Sequence, residues 1–167
     1  YIKKFIKLDE KTVHNYLKEN DKDNILKKTR KYSGEYLSMN DMKILDKNKL
    51  VFFGNHLFNH YNAINLNNNT LKKQFNKNKN EINKFKNSAN YFAYPFGQTR
   101  TCYNKKTNKI IKNLGAKIIL SSNPIDFNTK GTFLHRMPID KRFNNKNFLI
   151  SHLVLLRIKQ FFTWNKF

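Results

Sequence analysis

Leu50-Val51-Phe52-Phe53-Gly54-Asn55-His56-Leu57-Phe58-Asn59-His60-Tyr61 is the stretch from which the rest of the chain is read. Its four leading apolar residues predict a short buried strand over 50–53; Gly54 ends it, and two histidines follow at a spacing of four. If the residues after Gly54 form a helical turn, positions i and i+4 share a face. Two neutral imidazoles there can point at one divalent cation. Equally, two of the five histidines in the chain can fall four apart and serve only as solvated or hydrogen-bonded side chains. The helical zinc-protease motif is excluded, because it needs a glutamate directly after the first histidine and that position is Leu57.

A second stretch, Tyr91-Phe92-Ala93-Tyr94-Pro95-Phe96-Gly97, is another apolar strand, ending at a proline and a glycine. In a parallel sheet or barrel the carboxyl ends of the strands carry the chemistry, which places His56, His60 and the Pro95–Gly97 loop on one rim. Around these strands the expected helices are short. Ser38 offers an N-cap with Asp41 three residues on, and Met39, Met42 and Leu45 form the buried face of the helix before Leu50. After the polar run 65–69, Thr70 can cap a helix with apolar positions Leu71, Phe75, Ile82 and Phe85. Thr107 can cap a third through Ile110, Ile111 and Leu114, which Gly115 stops. Residues 116–120 read as a buried strand, 121–131 as a loop, and 132–139 as a last strand. Upstream, a helix from Thr12 carries Val13, Leu17, Ile25 and Leu26, with a break at 20–24. The alternation of strand and helix predicts an α/β fold with parallel strands and crossover helices.

The run Gly54-Asn55-His56-Leu57-Phe58-Asn59-His60-Tyr61, followed after one helix by Phe92-Ala93-Tyr94-Pro95-Phe96-Gly97, resembles the polysaccharide deacetylases, the NodB-homology domain of carbohydrate esterase family 4. Tyr36-Leu37-Ser38 and Leu134-His135-Arg136-Met137-Pro138-Ile139 look like further landmarks of that family, so the resemblance covers 36–140. It implies a partial, distorted (β/α) barrel with fewer than eight strands. The expected layout is a single domain 1–167, with a basic helical lead-in (1–35), a deacetylase-like core (36–140) and a C-terminal amphipathic helix (141–167).

The chemistry implied by the resemblance is that of a metal-dependent hydrolase removing acetyl groups from N- or O-acetylated sugars. A divalent metal, zinc or another transition metal, is held by His56, His60 and a carboxylate. The backbone N–H of Phe96, whose ring can equally be core packing, serves the oxyanion, and His135, with His152 as a second candidate, serves as general acid or is simply a structural strand histidine. Tyr94, Pro95 and Gly97 line the substrate. The family's Thr-Phe-Asp-Asp motif, source of the general base and the third ligand, has no match here. As the chain begins at Tyr1, an N-terminal part of the domain is expected to be missing and turnover to be low. No carboxylate of the chain is an obvious substitute: Asp126, in a loop after a strand, could approach the rim, but its ordinary reading is a turn aspartate. Ala93 stands where many members have an arginine. Two other readings stay open: a catalytically inactive glycan-binding relative, and a basic nucleic-acid or membrane-surface binder.

Composition bounds these alternatives. The 167 residues, 39% hydrophobic and 14% aromatic, suffice for one core. The net charge of +22, from 33 Lys+Arg against 11 Asp+Glu, raises nucleic acid as a partner. The lysines are spread along a chain rich in Asn, Ile, Phe and Tyr, and no nucleic-acid motif occurs, so no specific nucleic-acid partner is expected. Residues 148–162 present Leu149, Leu153, Leu156 and Phe161 to one helix face. Ser151, His152, Arg157 and Lys159 interrupt the stretch too often for a transmembrane span. It is expected to pack on the sheet or dock, with weak membrane-surface association as the alternative. Cys102 stands alone and reads as an inert thiol, and no signal peptide is visible at Tyr1.

Overall fold

The computed structural model describes residues 10–19, 24, 27–28, 36–98, 101–122, 131–136 and 145–163. Its elements are helix α1 (Glu10–Glu19), helix α2 (Met39–Leu45), strand β1 (Phe53–Asn55), a 3-10 turn (Ala63–Asn65), helix α3 (Asn68–Ile82), strand β2 (Ser88–Ala93), helix α4 (Lys105–Asn113), strand β3 (Ile118–Ser121), strand β4 (Phe133–His135) and helix α5 (Lys146–Thr163). The four strands form one parallel sheet in the order β1-β2-β3-β4. Among the described residues the sheet is not closed into a barrel. The α/β fold with parallel strands and crossover helices is therefore the observed one.

The first strand differs from its sequence reading. It begins at Phe53, not Leu50, and Leu50 and Phe52 are largely exposed. The cause is local: the Asn48 side chain accepts from Leu50 N at 2.9 Å and its carbonyl accepts from Val51 N at 3.1 Å, so the chain turns before it can pair. It enters the sheet where Phe53 N donates to Asn87 O. Glycine suits the position just after that entry, because a Cβ there would sit 3.2 Å from Tyr91 O and 3.3 Å from Tyr91 Cβ on β2, tighter than ordinary contact. The capping box of α2 is formed by Ser38 and Asp41, and these hydrogen bonds hold the Asp41 carboxyl below its ordinary range. The face of that helix is not a buried one: Met39 is exposed, and Met42 and Leu45 are half-buried.

Both predicted threonine caps move by three residues. Asn67 caps α3, its side chain accepting from Thr70 N, and Asn104 caps α4 in a capping box with Thr107. An asparagine is the stronger N-cap, and the third helical position is where its oxygen finds an N–H. Strand β3 runs one residue further than expected and takes in Ser121, which is fully buried.

Between α3, α4 and the sheet lies a core of Leu57, Ala63, Leu71, Phe75, Phe92, Tyr94, Cys102, Tyr103, Ile111, Ala116 and Ile119. A run of aromatic contacts crosses it, from Phe75 to Phe92 (5.7 Å), Tyr94 (4.8 Å), Tyr103 (4.6 Å) and Phe133 (5.5 Å). Cys102 is buried here. Helix α5 instead leaves Phe148, Ile150, Leu153, Val154, Leu155 and Ile158 exposed. No helix among the described residues is long and apolar enough to cross a membrane. Asp126, Met137, Pro138, Ile139 and the break at 20–23 fall outside the described residues, as do Ile25, Leu26 and the side chains of Val13, Leu17, Leu156 and Phe161.

Candidate functional site

Because every strand pair is parallel, the segments leaving the strands emerge on one rim of the sheet. These are Asn55–His60 after β1, Tyr94–Gly97 after β2, Ser122 after β3 and Arg136 after β4.

Residues 56–60 are not a helical turn. The loop turns through Phe58 and Asn59 with Leu57 (φ 59°) and His60 (φ 55°) in the left-handed region, which costs a non-glycine residue about 1–2 kcal/mol. Hydrogen bonds hold it there. Asn55, buried, donates from Nδ2 to Phe75 O (2.8 Å) and accepts at Oδ1 from Leu57 N (3.0 Å). On α3, Asn78 Oδ1 accepts from His56 N (2.9 Å), Gln74 Oε1 from Asn59 N (2.9 Å), and Gln74 O from Phe58 N (3.3 Å). Leu57 is pinned in the core. The reversal brings the two imidazoles edge to face with ring centres 4.7 Å apart.

His56 Nδ1 lies 2.6 Å from Ala93 O. A carbonyl can only accept, so the proton sits on Nδ1 and Nε2 carries the lone pair. Both imidazoles are held below the ordinary value and are neutral near pH 7. Burial is the main cause for His56, with His60 and Arg136 adding to it against the Ala93 bond. For His60, exposed on one side, burial of the other side leads and Arg136 follows.

The second loop is tied to the end of β3. Gly97 N donates to Pro95 O (2.7 Å), Ser122 Oγ to Phe96 O (2.6 Å), and Ser122 N to Gly97 O (2.8 Å). Gly97 has φ 72°, and a Cβ there would lie 2.7 Å from both Ser122 N and Ser122 Oγ, so only glycine fits. Phe96 is itself left-handed at φ 62°, and its ring packs 4.9 Å from that of His60 while 43% exposed. Among the described residues the Phe96 N–H has no protein acceptor. Leu57, His60 and Phe96 are the positive-φ residues other than glycine among those described, and all three belong to this rim.

Of the other residues singled out in the sequence, Tyr94 and Pro95 are fully buried. The Tyr94 hydroxyl donates to Asn108 Oδ1 (2.8 Å), and burial raises its pKa, keeping it a neutral phenol. It faces the core, so its contribution to the rim is its carbonyl, which accepts from Arg136 Nη2 at 2.9 Å. His135 pairs through Nδ1 with the hydroxyl of buried Ser121, opposite it in the sheet register, and its ring packs on Phe133. His152 sits on α5 with its ring stacked on Phe148. Sequence reasoning missed the supports: Asn55, Gln74, Asn78 and Ser122. A signal was present on α3, where Leu71, Gln74, Phe75 and Asn78 share one face and two amides interrupt its apolar positions.

Among the described residues no group of three or more His, Cys, Asp or Glu could hold a metal ion, so the described part of the rim offers a nitrogen pair. A sequence model of one family, described as polysaccharide deacetylase, matches residues 11–119. It starts well upstream of Tyr36, takes in both rim loops, and stops before β4. Comparison with curated proteins and with solved structures gave no match. The two loops lie within a family match that spans more than half of the chain, and the chain belongs to the polysaccharide deacetylase family.

Proposed function

We propose that this chain works as a metal-dependent carbohydrate deacetylase domain, a hydrolase releasing acetyl groups from N- or O-acetylated sugars. The observation that carries the reading is the meeting of His56 and His60 at 4.7 Å beside Phe96 on the carboxyl rim. The donors suit a divalent transition metal, zinc or a neighbour in the series: two neutral imidazoles, one oriented by a carbonyl on its other nitrogen. When bound, such an ion polarises the acetyl carbonyl and lowers the pKa of a coordinated water.

The chain's own groups do the rest. The Phe96 N–H donates to the oxygen that gains charge in the transition state, and its exposed ring offers a face to the sugar. Tyr94 and Pro95 hold that loop from below, and Gly97 lets it approach Ser122. His135, its ring set by Ser121, hands a proton to the leaving amine or alkoxide. No Thr-Phe-Asp-Asp motif occurs in the sequence, and general-base catalysis is typically worth about 10²–10⁴-fold, so turnover by these residues alone is low.

Titration with Co²⁺ or Zn²⁺ tests the pair without relying on activity. Binding is expected to be weak in the chain as given and lost in His56→Ala and in His60→Ala, while unchanged binding in either variant overturns the assignment. Acetate release from acetylated chitooligosaccharides and acetylated xylan is expected to be slow and to vanish in His56→Ala. A second reading, a glycan-binding relative without turnover, is favoured by the lack of a three-ligand cluster among the described residues. Oligosaccharide binding with no acetate release in any metal selects it.

A further inference from the structure

Arg136 is the feature of the rim that the deacetylase reading leaves unused. Its backbone N–H is anchored on Ser121 O at 2.8 Å, and one arm of its guanidinium donates to Tyr94 O at 2.9 Å. That carbonyl belongs to the residue next to Ala93, whose own carbonyl holds His56. The guanidinium is thus fixed on the same rim, on the carbonyl next along the chain from the one that holds His56. The residue is solvent-exposed, and a guanidinium has five N–H donors in a planar fork, one of them committed here.

Three of the described carboxylates are engaged elsewhere. Asp41 binds Ser38, Asp46 accepts from Lys86 N and Asn87 N, and Glu81 pairs with Lys84. Nearby, Lys77 Nζ stands 3.8 Å over the exposed ring of Phe58, on the turn between the two histidines. A cation bound by His56 and His60 would add more positive charge. The rim therefore combines a fixed, open guanidinium, the Lys77 ammonium and an exposed aromatic face at Phe96.

We propose that Arg136 is a substrate-binding residue, receiving a carboxylate or phosphate carried by the acetylated sugar chain, so that the site prefers anionic over neutral glycans. The guanidinium fork matches either group through two parallel charge-assisted hydrogen bonds. The proposal rests on the deacetylase reading only for the acetylated-sugar class, and its test reads binding, not turnover.

The experiment measures dissociation constants by calorimetry at 150 mM salt for three probes. These are a tetrasaccharide of alternating N-acetylglucosamine and glucuronate, the neutral N-acetylglucosamine tetramer, and N-acetylglucosamine 6-phosphate set against the free sugar. The carboxylate and phosphate arms separate the two sources of negative charge. At least one anionic probe is expected to bind about tenfold more tightly than its neutral counterpart. Arg136→Gln should remove that preference and leave neutral binding within about twofold, whereas Lys109→Gln, which removes a surface charge from α4, should not. Arg136→Lys, which keeps the charge and loses the fork, should weaken the anionic probe by about threefold to fivefold. It also decides the matter if Arg136→Gln fails to fold. Equal binding of anionic and neutral probes, equal losses in Arg136→Gln and Lys109→Gln, or wild-type affinity in Arg136→Lys overturns the proposal. Acetate release that ignores Arg136→Gln alongside equal probe binding removes this inference and leaves the deacetylase; Arg136-dependent binding without acetate release does the reverse.

Discussion

The two loops that meet at the rim reach strained backbone by different means. Asn55–His60 is held by amide side chains reaching across from β1 and α3, with Leu57 as its one apolar anchor. Tyr94–Gly97 is held by close backbone packing against Ser122 and by two fully buried residues, Tyr94 and Pro95. The first keeps its geometry through hydrogen bonds that could each be lost separately. The second keeps it through contact, which leaves no room for change. Both end with an exposed or half-exposed ring, His60 and Phe96, aimed at the other. A site positioned by two independent supports can lose one loop while the other stays folded.

The contact-held loop should be the more brittle. Gly97→Ala puts a Cβ within 2.7 Å of Ser122 N at a residue with φ 72°, and about 3 kcal/mol of stability should be lost. Urea unfolding measures it, and a loss smaller than that of the next variant would reverse the ranking of the loops. Asn55→Ala leaves Phe75 O and Leu57 N without their side-chain partner in a buried setting, at about 2 kcal/mol. Here metal affinity should fall with stability, since both histidines hang on this loop; unchanged Co²⁺ binding would show that α3 alone positions them.

The smallest effect separates the loops by protonation. His56 and His60 have folded values below the ordinary imidazole value, so between the two values the unfolded chain binds more protons. Their contribution to stability is present above the ordinary value of 6.5 and is lost as pH falls below it toward the folded values. In metal-free buffer the urea midpoint should therefore decline from pH 7 to pH 5, and the decline should be shallower in His56→Gln. An identical slope in the variant would mean that the titration belongs elsewhere. The Pro95–Gly97 loop has no titrating group and adds nothing to this slope.

Much of this was legible in the chain. Residues 91–93 and 118–120 are apolar runs bounded by turns, and the α/β alternation follows from hydrophobic period and breakers alone. The Ser38 cap of α2 was legible outright, and the caps of α3 and α4 only to within three residues. In Asn67-Asn68-Asn69-Thr70 and Asn104-Lys105-Lys106-Thr107 both ends can cap, and only the folded backbone shows whose oxygen meets an N–H. The start of β1 was misplaced because the hydrogen bond that Leu50 N donates to the Asn48 side chain outweighs the strand preference of Leu50-Val51-Phe52.

By itself the sequence determined the residue types and their order: two histidines after one strand, a Pro-aromatic-Gly loop after the next, a parallel sheet to carry them. Tertiary structure alone decided how they meet. Spacing by four pointed to a helical face, but the rings converge through two left-handed residues that Asn55, Gln74 and Asn78 hold in place. The two α3 amides lie 22 and 15 residues from the backbone groups they hold, and although they stand out on the apolar face of that helix, nothing in the sequence says which loop they reach. The same is true of Arg136, whose place on the rim depends on the Tyr94 carbonyl, 42 residues earlier in the chain. Sheet register set that neighbourhood, because strands that pair in parallel deliver their ends to one rim whatever their separation in sequence.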